Sequence, residues 1–152
     1  MSGAKMFPAF DFDESWGLVM AYPGQPLEVT RDGQNIQNFK IGYPNPDVTK
    51  GLCGCLVIID ENRLILTGAG ARNGEPWTGA DRVFMFDRRR YSWRELANMR
   101  TGRLAQNCGV IREVREEVEV VVAGGYRHGR PMSSVEIYSV KKNEWRQGNL
   151  NK

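Results

Sequence analysis

Cys53 and Cys55, one residue apart, fall on one face of any extended segment, close enough in principle to share a metal ion. A tetrahedral site wants two further ligands, and the chain offers only Cys108 and its single histidine, His128, so no metal is expected here. Gly68-Ala69-Gly70-Ala71-Arg72-Asn73-Gly74 follows the strand-like Leu64 to Thr67 and invites a phosphate-loop reading. Glu75-Pro76-Trp77-Thr78-Gly79 then stands where a helix would have to begin, and without a helix N-terminus there is no phosphate cradle. His128 sits among glycine and arginine with no acidic neighbour, so neither a Ser-His-Asp nor a Cys-His arrangement can be built around it. No cofactor and no catalysis are expected. Arg88-Arg89-Arg90 reads as a solvated cationic turn. What remains is a set of loop residues, with Arg72, Asn73 and Trp77 in one loop, Arg127, His128 and Arg130 in another, and Arg103 between them. Arginines beside an aromatic and an exposed histidine have the composition of a recognition surface for acidic or carboxylate-bearing segments of a protein partner.

These loops hang on an internal repeat. Cys53 to Pro76 lies over Cys108 to Pro131 without a gap at an offset of 55, with Cys53/Cys108, Gly54/Gly109, Glu61/Glu116, Gly70/Gly125, Arg72/Arg127, Gly74/Gly129 and Pro76/Pro131 identical. Beyond Pro76 the offset becomes 52, through Val83/Val135, Trp93/Trp145 and Arg94/Arg146. A repeat of about fifty residues points to stacked or circular copies of one supersecondary unit. Two cysteines at equivalent positions read as small buried hydrophobes, so a disulfide is not expected.

In the later copy Cys108–Val114, Val118–Ala123, Val135–Val140 and a segment around Trp145 read as four short antiparallel strands, with Tyr126–Ser133 as a loop between the second and third. The earlier copy follows the same grammar over Cys55–Ile59, Arg63–Gly68, Arg82–Asp87 and Tyr91–Leu96. Upstream, Gly17–Tyr22, Leu27–Thr30 and the hairpin signal Asp32-Gly33 form a diverged copy whose first strand would come from Phe7–Asp13. The organisation is thus residues 1–48 as an N-terminal segment with a diverged unit, 49–100 as one unit and 101–152 as another. Gly70, Gly124 and Gly125 are scaffold positions and Trp93, Tyr138 and Trp145 are core. The loop from second to third strand and the link between units emerge on the same rim.

A glycine pair closing a β-rich strand, an aromatic some dozen residues on, then Asn-x-Trp or Ser-Trp and a Met-x-x-x-Arg, resembles the kelch repeat. Gly124, Gly125, Tyr138, Asn143 and Trp145 carry the resemblance in one copy, and Gly70, Phe86, Tyr91, Ser92, Trp93, Met99 and Arg103 in the other. It covers Leu52 to the C-terminus, and Gly17 to Pro44 in a weaker form. The resemblance implies an all-β chain of four-stranded blades belonging to a kelch-type β-propeller, with about three blades present where closed rings have about four to eight. A second copy, or further blades of a longer chain, would close the ring. It also implies a scaffold that binds proteins through loops on one rim. Two rival readings are a propeller enzyme acting on a carbohydrate, a sugar isomerase or oxidase whose arginines and Tyr126 handle a carboxylate, and a piece of a larger kelch protein with no function alone.

The 152 residues are 41% hydrophobic and 26% charged, the composition of an ordinary globular chain. A net charge of +3 from 21 cationic and 18 anionic side chains announces neither nucleic acid nor membrane as a partner. Met1 to Phe12 lacks the cationic start and apolar centre of a leader, and a cytoplasmic location is expected.

Overall fold

The computed structural model describes residues 16–20, 27–31, 39–41, 44, 54–60, 62–68, 80–112 and 117–149. All regular structure among them is β. Strands β1 (Trp16–Met20), β2 (Leu27–Arg31) and β3 (Phe39–Ile41) form a three-stranded antiparallel sheet in that order. A four-stranded sheet follows, running β4 (Cys55–Asp60), β5 (Arg63–Thr67), β6 (Val83–Asp87) and β7 (Ser92–Glu95). A second four-stranded sheet has β8 (Asn107–Arg112), β9 (Val118–Ala123), β12 (Val135–Ser139) and β13 (Glu144–Gly148) side by side, with the small hairpin β10 (Tyr126–Arg127) and β11 (Arg130–Pro131) standing apart from it. Two successive up-and-down antiparallel sheets match the expected blades. The expected first strand at Phe7–Asp13 and the Asp32-Gly33 turn lie outside the described residues.

The strands form where β-branched and aromatic side chains alternate across a pleat. In the earlier blade, Val57 pairs with Ile65 and Ile65 with Met85, so one face carries Val57, Ile59, Ile65, Val83 and Met85. That face packs on Val120, Val122 and Tyr138 of the next blade, with Cys108, Val110 and Trp145 at its margin. The opposite face carries Leu64, Leu66, Phe84 and Phe86, buried just as fully. Burying each such side chain contributes about 1.5–3 kcal/mol, so the sheet-to-sheet contact is the main source of stability.

Register locates the repeat more finely than the residue identities do. Cys55 and Asn107 start the first strands 52 residues apart, Thr67 and Ala123 end the second strands 56 apart, and Val83 and Val135 start the third strands 52 apart. From the start of the first strand to the end of the second the later blade is four residues longer, and the loop that follows is four residues shorter. An ungapped offset of 55 averages over this exchange. The position equivalent to Gly124 is therefore Gly68: both sit at positive φ, +66° and +67°, and their amides bond to Arg82 and Ser134 in matching fashion. Gly70 is outside the described residues.

The same correction applies to the cysteines. Cys108 takes the position of Leu56, not that of Cys53, and its sulfur is bonded to Cys55 in a disulfide whose Cα atoms are 6.0 Å apart. A disulfide was not expected because the offset of 55 made Cys53 and Cys108 look like the same packing position. The bond joins the first strands of adjacent blades, β4 and β8, which share no ladder.

The link from Leu96 to Gln106 fills the seam between the blades. On one side the amides of Leu96, Met99 and Arg103 donate to Val83, Asp81 and Ala80. On the other side Asn143 Oδ1 accepts from the Ala97 amide at 2.9 Å and from the Tyr138 hydroxyl at 2.8 Å, while Trp145 Nε1 donates to Ala97 O at 2.8 Å. Farther along, the Gln106 side chain donates to Thr67 O at 3.0 Å, beside Cys55 in the ladder. Trp145 and Tyr138, expected as core, thus also hold the seam by their polar ends.

Two predictions follow from this seam. Gly125 lies at φ +88°, and a Cβ there would stand 2.5 Å from Leu104 O, whereas a Cβ on Gly109 would meet nothing within 4 Å. Gly125→Ala is expected to cost more than about 2 kcal/mol in denaturant titration, and Gly109→Ala to stay within about 0.5 kcal/mol of the parent. Burial pushes the Tyr138 phenol up to about 12, against the lowering effect of the Arg94 guanidinium. The folded state therefore holds that proton through a range where the unfolded chain, titrating near 10, releases it. The resulting stability is full below pH 10 and is lost as pH rises toward 12. Alkaline melts should show this slope, and Tyr138→Phe should flatten it.

Candidate functional site

Past β9 the chain turns at Gly124 and Gly125 and enters the β10–β11 hairpin, in which Tyr126 pairs with Pro131 and Arg127 with Arg130. The two turn residues, His128 and Gly129, have φ of +50° and +74°. Positive φ at both central positions marks a type I′ turn, whose twist suits a two-residue hairpin; glycine takes it freely, and histidine is among the few other residues that visit this region. What reads in the sequence as an irregular loop, Tyr126 to Ser133, is thus a fixed projection. It is docked on the interblade link, because Leu104 and Tyr126 exchange both backbone bonds, at 2.9 and 2.8 Å.

Between this hairpin and the link lies a cleft of about 590 Å³ lined by Ala80, Asp81, Arg100, Gly102 to Leu104 and Tyr126 to Gly129. It draws on both blades. Tyr126 is 51% exposed, and Arg100, Arg127, His128 and Arg130 are exposed as well. Asp81 brings a carboxylate to the wall, where it accepts from Asn98 Nδ2 at 3.4 Å. Among the described residues no carboxylate pairs with Arg100, Arg127 or Arg130. Arg127 and Arg130 are moreover direct cross-strand partners. Like charges directly opposite each other on a ladder destabilise it, so the hairpin carries a local electrostatic penalty that its own fold does not relieve.

Of the residues expected to contact a partner, Arg127, His128 and Arg130 share this projecting hairpin. Arg72, Asn73 and Trp77 lie outside the described residues. Arg103 is a correction: its side chain is 0% exposed and faces inward. Its Nε donates to Thr101 O at 3.4 Å, Nη1 to Gly124 O at 3.2 Å and Ser134 O at 2.8 Å, and Nη2 to Ser134 Oγ at 3.2 Å and Glu136 Oε1 at 2.8 Å. Glu136 in turn accepts the amides of Arg100 and Thr101, at 2.8 and 3.0 Å. Glu136 occupies the ladder position that Phe84 fills in the earlier blade, so a carboxylate stands where an aromatic would otherwise pack. Sequence reasoning placed Arg103 on the rim because the link emerges there. Arg100 is the gain, and Tyr126, which the sequence offered only to a carbohydrate enzyme, joins the same site: the link has no periodicity from which to tell that Arg100 points out and Arg103 in.

Arg103 therefore belongs to the scaffold. Arg103→Leu strands the buried Glu136 carboxylate and is expected to cost about 3–5 kcal/mol in chemical denaturation. Arg127→Ala, on the open hairpin, is expected to change stability by less than about 0.5 kcal/mol.

Comparison with known proteins agrees with this architecture. A family model described as the kelch motif matches residues 119–149, the stretch from β9 through β13. No curated protein matches the chain. Among solved structures the chain is similar to a fungal alcohol oxidase of the AA5 family, described as having catalytic diversity and solved in complex with copper. The match has a TM-score of 0.54 and 15% identity, and covers 86% of this chain and 28% of that one. It therefore bears on the fold alone, and the chain spans little more than a quarter of the oxidase's length. The copper of that enzyme has no fitting donor set here, since the chain has one histidine and, among the described residues, no three His, Cys, Asp or Glu side chains come together. No helix among the described residues is long and apolar enough to cross a membrane.

Proposed function

From a chain that carries a kelch repeat on kelch-type propeller blades, we propose a non-catalytic protein-interaction module that captures an acidic segment of a partner at the rim cleft. The observation that carries the reading is the unrelieved Arg127–Arg130 pair on a rigid hairpin beside an exposed tyrosine. A carboxylate set between two guanidiniums cancels their repulsion and accepts charge-assisted bonds from both, while the Tyr126 ring offers contact area at low entropic cost. Arg100 extends the cationic wall into the cleft. Arg103, already matched by Glu136, adds no free charge. The rival reading, an enzyme acting on a carbohydrate, has in its favour a likeness of fold, and its copper-oxidase form lacks the second histidine that such a metal site would want.

The reading makes an opposed pair of expectations for one substitution. Arg130→Glu turns a cross-strand repulsion into an ion pair, so the melting temperature should hold or rise slightly while affinity for a fluorescein-labelled oligoglutamate peptide falls at least about tenfold. Arg89→Glu with Arg90→Glu, in the turn at the other end of the same sheets, should leave binding unchanged. Equal loss from both variants would reduce the binding to bulk charge and refute the site.

A further inference from the structure

We propose that the Cys55–Cys108 disulfide is a redox-responsive clamp on the rim cleft, an inference that rests on reading the cleft as the binding site. The bond and the cleft lie at the same end of the blades. Cys55 faces Thr67 across the ladder, and the Thr67 hydroxyl donates to Cys55 O at 3.3 Å. Gln106, two residues before Cys108, grips Thr67 through its side-chain amide at 3.0 Å. Two residues before Gln106, Leu104 exchanges both backbone bonds with Tyr126 at the foot of the cationic hairpin. One short path of covalent and hydrogen bonds thus runs from the sulfurs to the cleft wall.

The cleft is divided between the parts this bond ties together. Ala80 and Asp81 come from the earlier blade, Tyr126 to Gly129 from the later one, and the disulfide is the covalent tie between their inner strands. Beside the bond the seam is bridged by the Gln106 side chain, which donates to Thr67 and whose Oε1 is buried without a partner among the described residues, while the packed faces and the Asn143 and Trp145 bonds hold it farther along. Both cysteines are half-buried rather than sealed within the core. In the exchange a thiolate of the dithiol attacks one of the two sulfurs, breaking the S–S bond and freeing the other as a thiolate. The second thiolate of the dithiol then resolves the mixed disulfide. Two electrons pass to the protein, and the reductant leaves as its own disulfide. In an oxidising compartment the clamp is closed; in the cytoplasm it stands open.

The test uses the full chain, oxidised or treated with a dithiol, with the Cys55–Cys108 linkage and its opening followed by peptide mass mapping. Oligoglutamate affinity is expected to fall at least about fivefold on reduction, and the amide signals of Leu104, Tyr126 and Arg127 to broaden while those of Ile65 and Met85 keep their dispersion. Cys55→Ser with Cys108→Ser should match the reduced protein with or without reductant, and Cys53→Ser should keep the full response. Equal affinity in both states, with the bond shown to open, would overturn the clamp and leave the rim site standing. Failure of oligoglutamate to bind in either state, with the amide response intact, would remove the rim reading and leave a redox-sensitive seam. Collapse of signal dispersion throughout would overturn the clamp by making the bond a support of the whole fold.

Discussion

A guanidinium can be taken out of water only if all its N–H groups find acceptors and its charge finds a counter-ion, and the seam between the two four-stranded sheets is arranged to meet that condition for Arg103. Thr101 O, Gly124 O, Ser134 O, Ser134 Oγ and Glu136 are its acceptors, drawn from the link, from the connections on either side of the hairpin and from β12. The demand is geometric. The link must run where it does, Gly124 must turn back, and β12 must present a carboxylate where its counterpart presents Phe84. A buried pair of this kind adds little net stability over a greasy one, whereas removal of either partner leaves a costly unpaired charge.

That arrangement explains why the hairpin can hold unfavourable charges. Its foot is tied to the link by the Leu104–Tyr126 exchange, and the link is tied to Asn143, Trp145 and Glu136. A scaffold stabilised by burial of Val57, Ile59, Ile65, Val83, Met85, Val120, Val122 and Tyr138 tolerates a local repulsion of a few tenths of a kcal/mol up to about 1 kcal/mol at its edge. Sites of recognition commonly break a local rule that the rest of the chain obeys.

Much of this was legible before any coordinates. Alternation and glycine punctuation located the strands of both blades to within a residue or two, because period-2 burial leaves a direct mark on the chain. The kelch pattern gave Tyr138 and Trp145 their core roles, and the hairpin arginines were placed on the rim because the loop from second to third strand emerges there. Three things were hidden. The disulfide depended on register, which two compensating length changes disguised. The inward course of Arg103 depended on Glu136, a residue 33 positions away with no local signature. The hairpin at His128-Gly129 depended on a histidine at positive φ, a conformation that sequence pattern seldom announces.

The trade of four residues between the first hairpin of a blade and the rim loop has an implication for how such chains diversify. Both ends of β5 and β9 are pinned by ladders on either side, so length can be moved from one edge of a blade to the other without disturbing the sheet. Loops at the binding edge then behave as exchangeable cassettes on a common chassis. Grafting Tyr126 to Ser133 onto the equivalent position of another blade would transplant the cationic projection whole, provided that the recipient's link supplies a backbone like that of Leu104 to receive it.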